Sequence, residues 1–278
     1  RDDVESRGLG DVYKRQEYIH WDEKRKAYQN QTGDIRRGVG MALFSYKTGV
    51  WPISLEIAGA RLSLNQDGSV QLQVGATEIG QGADTVFSQM AAETLHMDIS
   101  RVHIVTQQDT DVTPFDTGAY ASRQSFVTGT AVKECAQQLK QKILEYARTL
   151  VPGNVDRLEL EDGYILADGK PAISLEDLAM ESYYSLSNSS VLTAEVSRQV
   201  KKNTVASGCC FAEVEVDMKL GKIKVLDIVN VHDSGTLLNP QLAAMQVHGG
   251  MFMGIGYGVS EQPVSYTHLR AHETRRHL

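Results

Sequence analysis

"VGATEIGQGADTVFSQMAAETL", residues 74–95, decides how the chain is read, because it passes from a strand through a glycine-rich turn into a helix. Gly75 and Gly80 are spaced as in a phosphate-binding P-loop, but Gln81 stands where that loop needs lysine, and Glu78 adds a negative charge inside it. A dinucleotide fingerprint would need a third glycine after Gly80 and Gly82, where Thr85 is found. The strand before the turn also reads as half of a hairpin rather than of a βαβ unit. Two readings stay open on the residues alone. The turn is a tight strand-to-helix connection in which glycine supplies positive φ, or it presents N–H groups at a helix start to an anionic or amide-rich ligand, with Gln81 offering a donor and an acceptor.

Outward from this turn the pattern alternates strands and helices. Ala60, Leu62 and Leu64 run to "NQDGS", and Val70, Leu72 and Val74 run back, which is a hairpin. Phe87, Met90, Ala91, Thr94 and Leu95 recur at helical spacing, so residues 84–97 are expected as an amphipathic helix with Asp84 near its cap. "RVHIVT" (101–106) reads as a strand and residues 128–150 as a long helix. "LELEDGYILADGKPAIS" (158–174) reads as a second hairpin region turning at Asp162-Gly163 and Asp168-Gly169, with Ser174 and Asp177 as a capping box. Residues 183–205 are polar and poorly periodic, and are expected as an exposed insertion.

A third hairpin joins "FAEVEVDM" to "KIKVLDIVNV", with Ala212, Val214, Val216 and Met218 expected on one face. Asn239 and Pro240 then announce a helix. Its five glycines, Gly249, Gly250, Gly254, Gly256 and Gly258, each cost about 1 kcal/mol relative to alanine, which leads us to expect a neighbour close to its backbone. Hairpins mixed with long helices indicate an α+β fold.

Composition narrows the function classes. The 278 residues carry a formal net charge of -7, which argues against a nucleic-acid surface. No apolar run is long enough to span a bilayer and no apolar leader is seen, so no membrane association and a cytoplasmic location are expected. Residues 1–16 and 265–278 lack apolar periodicity and resemble flanks found on unrelated environmental open reading frames; we expect them to be non-native. Without the four basic and four acidic residues of the first flank and the three basic and one acidic of the second, 21 basic and 30 acidic residues remain, a charge of -9 over 17–264. Cys135, Cys209 and Cys210 are too few for a four-thiolate cluster.

Other chemistry is thinly signalled. Asp109, Asp111 and Asp116 lack the glycine and glutamate of an EF-hand loop. The histidines have no metal-ligand spacing, and no nucleophile elbow is present. "GAYASRQ" (118–124) combines small residues with Ser122 and Arg123 ahead of a helix. That pattern suits either a second anion site or an exposed polar loop.

Three blocks in this order and spacing, "GATEIGQGADTVFSQMAAE", "DTDVTPFDTGAYASRQSFVTGTAV" and "FAEVEVDMKLGKIKVLDIVNVHDSGTLLNPQLAAMQVHGGMFMGIGYGVSEQ", resemble the molybdenum-binding large subunit of the xanthine dehydrogenase and aldehyde oxidase family. The resemblance covers residues 17–264. It implies a molybdopterin cofactor, as the cytosine dinucleotide with Mo, held at Gly80, Gln81, Gly82 and Ala83, at Gly118, Ala119, Tyr120, Ala121, Ser122 and Arg123, and at Gln246. Gln81 would lie in the metal environment, and an aromatic group contacting substrate maps at or beside Trp51.

The resemblance further implies hydroxylation with water as oxygen source, on a purine such as hypoxanthine or xanthine, with aldehydes or other N-heterocycles as the alternative. FAD and 2Fe-2S clusters would reside on other domains or subunits of a hetero-oligomer. No catalytic residue is assigned here, because the family glutamate belongs to a motif after residue 264 and the G-G-x-x-G-G loop lies before residue 17. The chain is therefore expected to be a fragment, inactive alone. A non-catalytic module binding a nucleotide or a partner chain is the reading of a different class.

Overall fold

The computed structural model describes residues 16–261, and the expected flanks, apart from Gln16, lie outside them. The chain forms two compact units, one made of residues up to Tyr46 together with those from Val205 onward, the other of Lys47–Thr204. Helices and sheets are mixed as the α+β reading expects.

The second unit is built on a four-stranded sheet of order β4-β3-β2-β8. Strands β2 (Ile57–Leu64) and β3 (Val70–Val74) form the expected hairpin, with Ala60 opposite Val74, Leu62 opposite Leu72 and Leu64 opposite Val70. All six side chains are fully buried, and burying each large one contributes about 1.5–3 kcal/mol. Beyond β3 come α2 (Ala83–Leu95), the short β4 (Val102–Ile104) and α3 (Gln124–Leu150). Phe87, Ala91 and Leu95 of α2 and Val132, Leu139 and Ile143 of α3 complete the core. The α3 helix starts four residues before the expected Thr128, because Gln124 and the buried Val127 already follow the helical path.

Three corrections follow from this unit. Strand β4 pairs with β3 in parallel, Val70 opposite Val102, so β3-α2-β4 is a βαβ unit after all and β3 serves both it and the hairpin. Residues 193–199 are not an exposed insertion. They form β8 (Thr193–Gln199), paired with β2 and burying Ala194 and Val196. Only two inward residues mark it, and the polar outward face of an edge strand hides so short a period. The 158–174 region is a three-stranded meander, β5 (Leu158–Glu161), β6 (Tyr164–Ala167) and β7 (Lys170–Ser174). Its turns are at the two expected Asp-Gly pairs, with positive φ at all four residues. Ser174 then caps α4 (Leu175–Tyr184) through the Asp177 N–H at 3.0 Å.

The first unit consists of α1 (Trp21–Ala27), the long β1 (Ile35–Lys47, of which residues to Tyr46 belong here), the hairpin β9 (Val205–Asp217) and β10 (Lys222–Asp233), and α5 (Pro240–Val259). Its buried cluster is Ile19, Cys209, Phe211 and Val229. Ala212, Val214 and Val216 share one half-buried face of β9, the fully buried face is that of Cys209, Phe211 and Glu213, and Met218 is exposed just past the strand. The Glu213 charge is matched on the buried face by the Lys24 ammonium and the Tyr28 hydroxyl, both donating at 2.6 Å. Asn239 caps α5 as expected, accepting from the Leu242 N–H at 3.1 Å. The expected close neighbour of the α5 glycines is not found among the described residues: Cβ atoms at Gly249, Gly250, Gly254 and Gly258 would meet open space, and one at Gly256 would meet the side chains of Glu261 and Ser260 just past the helix.

Candidate functional site

The site grows from three loops of the second unit. Gly75 directly follows β3, and a Cβ there would fall 2.0 Å from the Pro114 carbonyl oxygen, so only glycine lets the 112–116 segment cross at this point. That segment is fixed by the Gly59 N–H, which donates to the Phe115 carbonyl at 2.7 Å, and by a bridge between Ala58 and Asp116. The loop that follows, 117–123, is therefore delivered next to the 76–82 turn.

In the turn, Gly80 and Gly82 have φ of 97° and 83°, which glycine adopts without steric cost. Gly82 is the N-cap of α2 and supplies no side-chain cap. Asp84 does not cap the helix either. Glu78 takes that role: its carboxylate accepts the N–H groups of Gly80 at 2.7 Å, Gly82 at 3.1 Å and Asp84 at 3.1 Å. Burial alone would raise the Glu78 pKa, but these N–H donors and that of Ala83 outweigh it and hold the carboxyl below its usual range. Burial, then the nearby Glu78 charge, pushes the Asp84 carboxyl up.

Gln81 folds back over the turn. Its Oε1 accepts the Ile79 N–H at 2.6 Å, and its Nε2 donates to the Thr77 carbonyl at 2.9 Å and to Gln124 Oε1 at 2.6 Å. Gln124 in turn donates to the Thr77 carbonyl at 3.2 Å. Turn and loop are thus joined by an amide pair. Gly80 and Ile79 remain exposed at the tip, and nothing would obstruct a Cβ at Gly80.

In the 118–124 loop, Gly118, Ala121 and Ser122 all have positive φ, of 128°, 48° and 52°. Tyr120 and Ser122 are exposed. Arg123 is fully enclosed: its Nε donates to Glu56 Oε2 at 2.6 Å, Nη1 to Asp116 Oδ1 at 2.5 Å and the Gly118 carbonyl at 3.0 Å, and Nη2 to the Ile57 carbonyl at 2.8 Å. Burial alone would lower its pKa, but the Glu56 and Asp116 carboxylates beside it raise it above the ordinary guanidinium value. The loop at 48–56 joins through the Gly49 N–H, which donates to the Ala121 carbonyl at 2.8 Å, and the Val50 N–H, which donates to Glu56 Oε1 at 2.5 Å. Trp51 is half-buried, its carbonyl accepting from Asn203 Nδ2 at 2.6 Å.

The expected residues of the turn, the 118–123 loop and Trp51 therefore lie on adjoining loops of one unit. Gln246 belongs to the other unit, exposed on α5. Sequence reasoning missed Glu56 and Gln124, and it weighed Asp116 only for calcium and Glu78 only as a misplaced charge. One signal was available: Gln124 directly follows the loop and opens α3 with a polar side chain on a buried path.

The donor set suits an anionic, amide-rich ligand. Among the described residues nothing accepts the backbone N–H groups of Ala119, Tyr120, Ala121 and Ser122, and consecutive free amides of this kind form anion-binding concavities. Thr117 Oγ1 is buried without a partner. No cluster of three His, Cys, Asp or Glu side chains that could hold a metal ion occurs among the described residues. Burial pushes the Cys135 thiol up to about 11, which favours the neutral thiol. No helix among the described residues is long and apolar enough to cross a membrane.

The class of this α+β unit, with its two adjoining glycine-bearing loops, is given by comparison. Residues 14–268 match the molybdopterin cofactor-binding domain family, and the chain belongs to that family. It is 48% identical over 265 residues to the xanthine dehydrogenase molybdenum-binding subunit of Escherichia coli O157:H7, covering 94% of this chain and 35% of that protein. It is 25% identical over 240 residues to the nicotine 6-hydroxylase large subunit of Paenarthrobacter nicotinovorans, covering 81% and 29%. The fold is shared with quinoline 2-oxidoreductase from Pseudomonas putida 86, with a TM-score of 0.78 at 22% identity, over 91% of this chain and 34% of that one. The resemblance of the three sequence blocks to molybdenum-binding large subunits of the xanthine dehydrogenase type is thereby confirmed. The chain spans about a third of the length of these relatives.

Proposed function

We propose that this chain is part of the large subunit of a cytoplasmic molybdenum hydroxylase and holds a molybdopterin cytosine dinucleotide against the 77–83 turn and the 118–124 loop. The observation that carries the reading is the joining of these two loops through Gln81 and Gln124, in a chain of the molybdopterin cofactor-binding family. When bound, the cofactor supplies two-electron oxidation chemistry with water as the oxygen source. The residues of this chain bind and orient. The free N–H groups of Ala119 to Ser122 take acceptor oxygens of the cofactor. Gln81 exchanges its bond to Gln124 for one to the cofactor, facing the metal environment. Glu78 keeps the turn shaped by holding its N–H groups.

The substrate we assign is a purine, hypoxanthine or xanthine, supported by the 48% identity to a xanthine dehydrogenase subunit, with Trp51 at the substrate side. Hydroxylation of another N-heterocycle is the second reading, favoured by the similarity to nicotine 6-hydroxylase. Electrons would leave through 2Fe-2S clusters and FAD on partner domains or subunits of a hetero-oligomer, so this segment alone is inactive.

The test is to purify the full-length subunit with its partners and identify what co-purifies by mass spectrometry, then assay xanthine, hypoxanthine, aldehydes and N-heterocycles with a dye acceptor. A bound molybdopterin dinucleotide with purine turnover is expected. A preparation that binds ATP or nothing, and a Gln81→Ala variant with unchanged cofactor content and turnover, would return the turn to a plain structural connection.

A further inference from the structure

Two consecutive non-glycine residues in the left-handed region, Ala121 and Ser122, have a local cost. Such a conformation crowds Cβ against the following carbonyl oxygen and persists only where the surroundings over-determine it. The surroundings here are a buried ion triad. Arg123, one residue on, has no exposed surface, and four of its five N–H groups are taken by Glu56, Asp116 and the carbonyls of Gly118 and Ile57. Its guanidinium also lies over the Tyr120 ring, 5.6 Å from the centroid. A residue so committed has little capacity to grip a ligand.

Stability alone is a poor account of the triad. Burying three charged groups carries a large desolvation penalty, and well-packed apolar residues of similar volume often stabilise as much or more. The three groups do, however, tie the 48–56 segment to the 117–123 loop. Glu56 holds the 49–51 segment, through the Val50 N–H and by contact with Gly49, where a Cβ would fall 2.9 Å from Glu56 Oε1. Asp116 accepts the Gly118 N–H at 2.9 Å and the Thr128 hydroxyl at 2.7 Å, which ties the loop's first glycine to α3. Arg123 spans the two carboxylates, and Gln124, the next residue, reaches Gln81 in the glycine turn.

We infer that Glu56, Arg123 and Asp116 are positioning residues for the cofactor loop. Arg123 is not itself a ligand; the triad fixes the left-handed backbone at Ala121 and Ser122, and with it the direction of the free amides. This rests on reading 118–124 as the cofactor loop, and it replaces the direct role for Arg123 that the family resemblance implies.

The experiment uses the full-length holoenzyme with its partners. Glu56→Gln keeps the shape of the side chain and removes its charge; Leu139→Ala, a buried α3 residue away from the loops, serves as a control for lost stability. The rate of pterin release is followed by fluorescence well below the thermal unfolding midpoint of each protein. Glu56→Gln is expected to release the pterin at least ten-fold faster than wild type, while Leu139→Ala releases it at the wild-type rate despite a lowered midpoint. Release from Glu56→Gln at the wild-type rate, or release that merely follows the midpoint in both variants, overturns the inference. If Glu56→Gln does not accumulate, Asp116→Asn is measured under the same criteria. A wild-type protein carrying no pterin overturns the functional reading and the inference with it, whereas a loaded wild type with indifferent variants overturns the inference alone.

Discussion

The Asp84 N–H donates to Glu78 Oε2 at 3.1 Å, while Asp84's own Oδ1 is enclosed without a partner. One carboxylate therefore caps α2 from outside the helix and leaves the neighbouring carboxylate exposed to its charge. The two acids of the turn respond oppositely to pH, and each response is measurable.

Glu78 has its pKa lowered on folding, because the gain from four N–H donors exceeds the cost of burial. A group of this kind contributes stability that is fully present above its unfolded value, about 4.3, and is lost as pH falls through the lower folded value. Glu78→Gln should therefore destabilise the protein by about 1–2 kcal/mol at pH 7, the order expected for hydrogen bonds to a charged acceptor. The difference from wild type should shrink below pH 4. Urea denaturation followed by circular dichroism at pH 7 and pH 3.5 checks it; an equal difference at both values would mean that charge on Glu78 is irrelevant.

Asp84 has its pKa raised, by burial first and by Glu78 second. The sign reverses: the protonated form is favoured in the fold, so the contribution to stability is present below the unfolded value and lost as pH rises through the folded one. Asp84→Asn is expected to raise the thermal midpoint at pH 7, where wild type carries the unfavourable charge, and to leave it unchanged at pH 3. Calorimetry at the two pH values decides this, and a lowered midpoint at pH 7 would show that the Asp84 carboxylate is stabilising.

How much of this was legible depends on the range of the interaction. The β2–β3 hairpin, α2 and the Asn239 cap are local, and alternation, helical spacing and capping chemistry reveal them. The two loops proposed to hold the cofactor are singled out only by resemblance, since the turn alone left a structural connection equally open. Glu56 was invisible because its partner Arg123 is 67 residues away, and nothing in a string of residues marks a carboxylate that will be buried. Asp84 looked like the cap because caps normally lie next to their helix. The true cap, Glu78, is six residues from the Asp84 N–H it accepts and reaches it only through two left-handed glycines.

Arg123 is the charge whose loss should cost most. Arg123→Met removes the cation between Glu56 and Asp116 and leaves two enclosed carboxylates facing each other, for which about 3–5 kcal/mol is expected. Neutralising one of them should then matter less, or help. In a double-mutant cycle, Glu56→Gln is expected to be destabilising in the wild-type background and neutral or stabilising beside Arg123→Met. Additive effects in chemical denaturation would show that the two side chains are not energetically coupled.

Gly75 has an ordinary φ, so nothing about its conformation demands glycine; the requirement is space. An added Cβ would lie 2.0 Å from the Pro114 carbonyl oxygen, 2.9 Å from the Asp116 nitrogen and 3.1 Å from the Asp116 Cβ. No flexible side-chain end is available to yield, so Gly75→Ala must push the 114–116 backbone away from the end of β3. Overpacking of this kind costs about 1–3 kcal/mol. The displaced segment carries Asp116, so the shift should also loosen the bond from Arg123. Gly129→Ala is the informative contrast, because its Cβ would meet only the Sδ and Cε of Met90, at 2.6 and 2.7 Å, atoms at the free end of a flexible side chain. Gly75→Ala is expected to lose both stability and bound pterin in the full-length protein, and Gly129→Ala to lose some stability with pterin retained. Equal pterin content in the two variants would show that the crossing at Gly75 does not govern the loop.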